Sequence, residues 1–472
     1  MRFLAEAAAR GNSFIVTPLL SWVLGAAVFG SYAQIQSLSF AFVPIVSAGL
    51  GFTVIRKVAA GKEPSNSPGL LLFAVGLLTA LCLLLAGILW GFSENVGKLL
   101  SLSWDPEPVS LVLLLTGLAW ATAVEALVQE YFRAQKWVRY SIAIQLTAIC
   151  LHLAALFSLL VAGGLSIWSA FLALILVKLS VVIFVLLNEL QRGRRRVGAI
   201  WDRPQFMVLF SGIPFMLAGL AEWAGNLGSR LIVGQYLGAE MVAQYTAAVM
   251  VLSAIVALGA PFWWLLFPEI IRHKSSGNIE LCSEAVQSRT MTFLELSLPV
   301  FGCLCLIADP AISLLVNTHA SGMSAIVFVL GLAVLINQAA TGWEYFVISV
   351  SSGKSLLVAT VSSALLGFSL AVILASEFGM LGIALGILFG KLFLATVFVA
   401  IAARKGLSGL ILKPCRIAII ISFSVLAYFS VEWVVSVLYL ENMAMEIVSA
   451  IVLFPVFYGV GYLAMIRGFR FK

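Results

Sequence analysis

Leu172-Ala173-Leu174-Ile175-Leu176-Val177-Lys178-Leu179 places a lysine inside a helix-length apolar run, and Leu385-Gly386-Ile387-Leu388-Phe389-Gly390-Lys391-Leu392 does so again 213 residues later. Leucine, lysine and leucine are identical between the two stretches. The same offset relates Leu24-Gly25-Ala26 and Tyr32 to Leu237-Gly238-Ala239 and Tyr245. Each match is short, but one register holds near both ends of a half-chain. It reads as a tandem duplication of a membrane protein that keeps charge within the bilayer.

Composition agrees. Of the 472 residues, 62% are hydrophobic and only 10% charged, with a mean hydropathy of +1.09. Soluble domains carry about 45–50% apolar and about 25% charged residues. Runs of about 20 apolar residues fit a bilayer. Fourteen are expected, near 5–28, 31–55, 69–91, 109–132, 140–162, 168–190, 206–236, 242–271, 290–308, 323–343, 356–376, 382–402, 416–438 and 444–466. The border between the first two is open, since Ala27 to Ser31 either ends one helix or continues it. The first span reads as a retained helix, because no small-residue cleavage site precedes the next span.

Six spans per half put both halves on the membrane in the same orientation, a parallel repeat about an axis along the membrane normal. The expected fold is an all-α polytopic membrane protein of about fourteen transmembrane helices. Residues 1–190 form an N-terminal six-helix lobe, 191–205 a basic linker, 206–402 a C-terminal six-helix lobe, and 403–472 two additional helices. The loops expected to be longest are 92–108, 191–205 and 272–289.

Basic residues set the orientation. With the N-terminus inside, 24 of the 28 lysines and arginines fall on the cytoplasmic side and only Lys98 in an outer loop; Lys178, Arg230 and Lys391 lie within spans. The net charge of +7 is thus an address for the inner leaflet, not a nucleic-acid footprint. Both termini are expected in the cytoplasm. The chain lacks a Walker-type glycine loop, and its three histidines and six cysteines are not spaced to hold a metal. Neither a cofactor nor a metal is expected, and no enzymatic chemistry.

Leu24-Gly25, Phe29-Gly30-Ser31-Tyr32, Gly49-Leu50-Gly51 and Arg56 resemble the opening pattern of polysaccharide flippases of the multidrug/oligosaccharidyl-lipid/polysaccharide exporter superfamily. In the second half the resemblance continues in Arg230-Leu231-Ile232-Val233-Gly234, Leu266-Phe267-Pro268-Glu269, Ala308 to Leu315 and Phe378 to Ala384. It covers essentially the whole chain through loose motifs. Ser229 departs from it, since many relatives place an aspartate before the arginine. The resemblance implies a MATE-like fold that moves undecaprenyl-pyrophosphate-linked oligosaccharide across a bacterial inner membrane by alternating access. Membrane lipids, and a polysaccharide polymerase with its chain-length proteins, are the partners it implies. An ion-coupled multidrug antiporter of the same superfamily and a non-transporting scaffold of a polysaccharide assembly complex are the competing readings.

A pyrophosphate needs a cationic, polar path through hydrocarbon, and guanidinium suits it through paired donors and a charge that survives partial desolvation. Glu222, Asn226 and Arg230 are spaced by four, with Ser229 three from Asn226, so an unbroken helix sets all four on one face. Tyr32 and Gln36 in the second span, Gln244 and Tyr245 in the eighth, and Arg10 and Arg56 complete the candidate substrate contacts. The plainer readings are outer-leaflet snorkelling for Arg230, helix packing for the polar stripes, pairing with Glu6 for Arg10, and inner-leaflet anchoring for Arg56. Lys178 and Lys391 lie too deep to snorkel easily. They are either structural lysines paired within their own lobes or charges for ion coupling, with Glu125 and Glu295 as counter-charges.

Overall fold

The computed structural model describes residues 2–50, 67–103, 107–135, 137–193, 207–275, 277–350, 353–407, 414–438 and 443–470. It is an all-helical, multi-pass membrane protein. Among the described residues, nine helices are long and apolar enough to cross a bilayer, and two further apolar helices are shorter.

The chain packs as two compact units, 1–243 and 244–472. The first begins with α1 (Arg2–Leu24), α2 (Ala26–Ser47), α3 (Ser67–Gly91), α4 (Ser93–Leu100) and α5 (Pro108–Ala134). It continues with α6 (Val138–Val161), α7 (Ile167–Gly193), α8 (Met207–Asn226) and α9 (Ser229–Leu237). Its centre is α5, which packs on α2, α3, α4, α6 and α7. Small residues on α5, Ala119, Ala121 and Ala123, are fully buried and admit neighbouring helices closely.

α10 (Ala239–Ser275) starts in the first unit and continues into the second. There α11 (Ile279–Leu306), α12 (Ala308–Val316), α13 (Met323–Val350), α14 (Gly353–Arg404), α15 (Pro414–Leu438) and α16 (Met443–Arg470) follow. α14 is two spans joined at Gly379, whose φ of 54° and ψ of −130° break the helix between the spans expected at 356–376 and 382–402. Its two arms pack by backbone. A Cβ on Gly386 would lie 2.3 Å from the Ala371 nitrogen, and one on Gly390 2.9 Å from the Gly367 Cα. The last two helices pack on α11 and α12.

Three boundaries differ from the sequence reading. The first helix ends at Gly25, not between Ala27 and Ser31. Gly25 has φ 90° and ψ 156°, a conformation that glycine alone enters cheaply. The stretch expected as a loop at 92–108 contains the amphipathic α4, and most of the loop expected at 272–289 is helical, with α10 running to Ser275 and α11 starting at Ile279. Asn278 caps α11 by accepting from the Leu281 nitrogen at 3.1 Å, so the polar run Glu280 to Arg289 is helical. An N-cap of this kind satisfies a donor that the first turn leaves open.

Candidate functional site

The repeated Leu-Gly-Ala is a repeated joint. Gly25 separates α1 from α2, and Gly238, with φ 88° and ψ 173°, separates α9 from α10. The hydrogen bonds around them match: the Gly25 nitrogen donates to the Ser21 carbonyl and the Gly238 nitrogen to that of Gly234. Each glycine carbonyl then accepts from the residue four ahead, Phe29 and Val242 respectively.

Beyond the first joint, α2 is buried along most of its length and runs against α8 and α9. The contact is made by glycines. A Cβ on Gly219 would lie 3.0 Å from the Pro44 ring and one on Gly212 1.9 Å from the Ala48 carbonyl oxygen, while one on Gly30 would lie 1.7 Å from the Ala239 carbonyl oxygen at the start of α10. Midway, the helix opposite α2 is broken. The Leu227 and Gly228 nitrogens both donate to the Trp223 carbonyl, and the Arg230 and Leu231 nitrogens reach back only three residues. Such wide-then-tight turns kink a helix and shift its register.

This break corrects the single polar face expected for the seventh span. Glu222 and Asn226 lie before it on α8 and are exposed, whereas Ser229 and Arg230 open α9, the serine buried and the arginine half-buried. A two-way clasp secures the break to α2. The Ser37 hydroxyl donates to the Leu227 carbonyl at 2.7 Å, and the Trp223 indole donates to the Ser37 carbonyl at 2.7 Å. Gln235 on α9 holds α4 through the Lys98 carbonyl at 2.8 Å and the Ser101 hydroxyl at 2.9 Å.

The remaining candidates are distributed around this seam. Tyr32 is buried and stacks on Phe171 with ring centroids 4.3 Å apart, and Gln36 is half-buried. Tyr245 is buried; Gln244 is buried too, and donates to the Thr318 hydroxyl at 3.4 Å. Arg56 and the side chain of Arg10 lie outside the described residues. Gln34 and Ser37 were missed in the sequence, because neither extends the Tyr32–Gln36 stripe at helical spacing.

A second constellation lies inside the first unit. Lys178 in mid-α7 pairs with Glu125 on α5, and the Gln129 amide donates to Glu125 Oε1 at 3.3 Å. The pair borders a cavity of about 300 Å³ shared by α1, α5, α6 and α7 and lined also by Asn12, Thr122, Gln145 and His152. His152 is buried, and among the described residues its Nε2 has no hydrogen-bond partner. A charged lysine deep in a span is costly unless it faces a partner or a polar cavity, and Lys178 has both. Nearby, the Tyr131 hydroxyl donates to the buried Glu189 at 3.2 Å, a contact the sequence did not suggest. In the second unit Lys391 and Glu295 are both half-buried, the latter one turn before Pro299 in α11.

Apolar helices packed through glycines, a broken span that opens on an arginine, and an ion pair held inside the bundle describe a polytopic transporter fold. The chain belongs to the polysaccharide biosynthesis protein family, which it matches over residues 2–274. Among solved structures it is similar to the lipid II flippase MurJ in an inward closed conformation, at 14% identity and a TM-score of 0.71, over 98% of this chain and 99% of that one. An inward-facing multidrug-resistance MATE transporter of the MOP superfamily matches at 14% identity and a TM-score of 0.64, over 84% and 96%. A MOP-superfamily transporter from Pyrococcus furiosus matches at 13% and 0.58, over 86% and 95%. These likenesses establish a MATE-like fold shared with flippases. No curated protein is detectably similar in sequence.

Proposed function

We propose that this protein is a flippase that carries undecaprenyl-pyrophosphate-linked oligosaccharide across the bacterial inner membrane by alternating access. The observation that carries the reading is Arg230, a half-buried guanidinium in the first turn of α9, just after the break in the seventh span. A guanidinium favours phosphate through its paired donors and keeps its charge when partly desolvated. Glu222, Asn226 and Ser229 around the break, with Arg10, Arg56, Tyr32, Gln36, Gln244 and Tyr245, are the proposed contacts to the pyrophosphate and glycan. The proposed rocking bodies are the lobes 1–190 and 206–402, with both termini cytoplasmic.

Lys178, Glu125, Lys391 and Glu295 are the proposed intramembrane charges for structure or ion coupling. The first pair has the stronger support, because it borders a polar cavity that also contains a buried histidine. A polymerase and chain-length proteins are the proposed partners at the outer face. The competing antiporter reading draws on the likeness to multidrug MATE proteins, but an antiporter of cationic drugs needs acidic residues to dominate its cavity.

The test is deletion of the gene with analysis of lipid-linked glycans in intact cells, followed by complementation with Arg230→Ala and Arg230→Glu. The expected result is accumulation of lipid-linked repeat units on the inner leaflet, loss of surface glycan, and no rescue by either variant. Unchanged lipid-linked pools with heightened sensitivity to cationic drugs would refute the flippase in favour of the antiporter. Full rescue by both variants at equal protein levels would remove Arg230 from the mechanism.

A further inference from the structure

Gln34 has no exposure to solvent, and among the described residues neither its amide nitrogen nor its amide oxygen has a hydrogen-bond partner. It lies against the bare Cα of Gly234 on α9. A Cβ there would sit 2.4, 2.6 and 2.8 Å from the amide nitrogen, carbon and oxygen of Gln34. The close approach of α2 to α9 thus leaves a primary amide shut in with nothing to bond.

Three residues further along α2 the opposite holds. Ser37 is also fully buried, but its hydroxyl and carbonyl both take part in the clasp with Leu227 and Trp223. Burying a polar group without a partner opposes closure, and burying one with a good partner favours it. The two sit within one turn of each other on the same seam.

We infer that the seam of α2 against α8 and α9 is a poised latch: the Ser37 clasp to the break between α8 and α9 holds it shut, and the Gln34 amide stranded against α9 pushes it toward opening. A seam made of glycine contacts and one clasp would lock if every buried group on it were satisfied. Gln34 keeps the closed state shallow, so that α2 and α9 part without a large barrier. The parting itself exposes the amide and relieves its desolvation. The inference concerns the seam alone and holds whatever the cargo is.

The latch predicts effects of opposite sign from neighbouring residues. Gln34→Leu, which keeps most of the volume and removes the amide, deepens the closed state. Ser37→Ala and Gly234→Ala make it shallower, the first by removing the clasp and the second by driving a methyl group into the Gln34 amide. The readout is hydrogen–deuterium exchange of the peptide covering 227–237 in the full-length protein in lipid, with α5 as an internal control. α9 has only nine residues and depends on packing to stay helical, so its exchange follows seam opening.

We expect Gln34→Leu to slow that exchange by roughly five- to a hundredfold and Ser37→Ala to accelerate it by roughly two- to tenfold. Gly234→Ala should also accelerate it. Gln34→Met serves as a second apolar variant should the branched leucine misfit. An ordinary stabilising glutamine would give faster exchange when removed, and one satisfied by an internal water would give no slowing. Unchanged or faster exchange in folded Gln34→Leu and Gln34→Met would overturn the inference.

Discussion

Replacing Lys178 with methionine tests whether the deep lysine is held by Glu125. The two side chains are only 16% and 10% exposed, so water compensates little for a lost partner. Breaking a buried pair by removing one member costs about 3–5 kcal/mol, because the other charge is stranded. The Gln129 amide at 3.3 Å gives the stranded carboxylate only a neutral hydrogen bond, and the cost should fall within that range. Replacing both partners with neutral groups is often close to neutral overall. Glu125→Gln combined with Lys178→Met should therefore recover at least about 2 kcal/mol of the single-variant loss. Denaturant titration of the purified protein in mixed micelles, followed by the fluorescence of its twelve tryptophans, measures all four corners of the cycle. A Lys178→Met cost below about 1 kcal/mol, or a double variant equal to the sum of the singles, would refute the pairing as the reason for the lysine. If the double variant is stable yet inactive, the pair serves transport as well as folding.

Gly25→Ala and Gly238→Ala should each destabilise by about 1–3 kcal/mol through backbone strain, whereas Gly76→Ala and Gly87→Ala, in mid-α3 with open space around them, should gain about 0.5–1 kcal/mol; the same titration compares them. Gly30→Val, which forces a side chain onto the Ala239 carbonyl, should abolish the monodisperse peak in gel filtration, because neither backbone can yield. Asp309 accepts from the Ser324 nitrogen at 2.8 Å and the Gly322 nitrogen at 3.2 Å, so Asp309→Ala should cost about 1.5–3 kcal/mol and leave the segment 317–324 open to protease. Resistance to proteolysis equal to that of the parent protein would show that this carboxylate is not what holds the segment.

The parts of this molecule that were legible in the sequence are those where hydrocarbon imposes the rule. An apolar run of fixed length, a lysine within it and a glycine repeat all leave a mark on residue type. The Lys178–Glu125 pairing was readable for the same reason, since a lone charge in a span demands a counter-charge. Backbone irregularity left a fainter mark. The break at Leu227 and Gly228 lies in Gly225-Asn226-Leu227-Gly228-Ser229, a run rich in weak helix formers, but the Ser37 hydroxyl that bonds its Leu227 carbonyl comes from 190 residues away. An ideal helix drawn through Glu222, Asn226 and Arg230 therefore put on one face residues that the fold divides between two helices. Gln34 was overlooked because its environment is made by Gly234, a residue on another helix. The polar helix start at Asn278 reads as loop because hydropathy falls there while helical hydrogen bonding continues.

Gly25 and Gly238 have nearly the same torsion angles, although the residues that follow them have drifted apart, Phe29-Gly30-Ser31 in one copy and Val242-Ala243-Gln244 in the other. The 213-residue correspondence is thus kept as a bend in the main chain more faithfully than as a string of letters. Side chains along two such stretches can differ at nearly every position, but a corner that only glycine turns cheaply has no ready substitute. Internal correspondence in such a chain is better sought in where its backbone changes direction than in the residues that two stretches share.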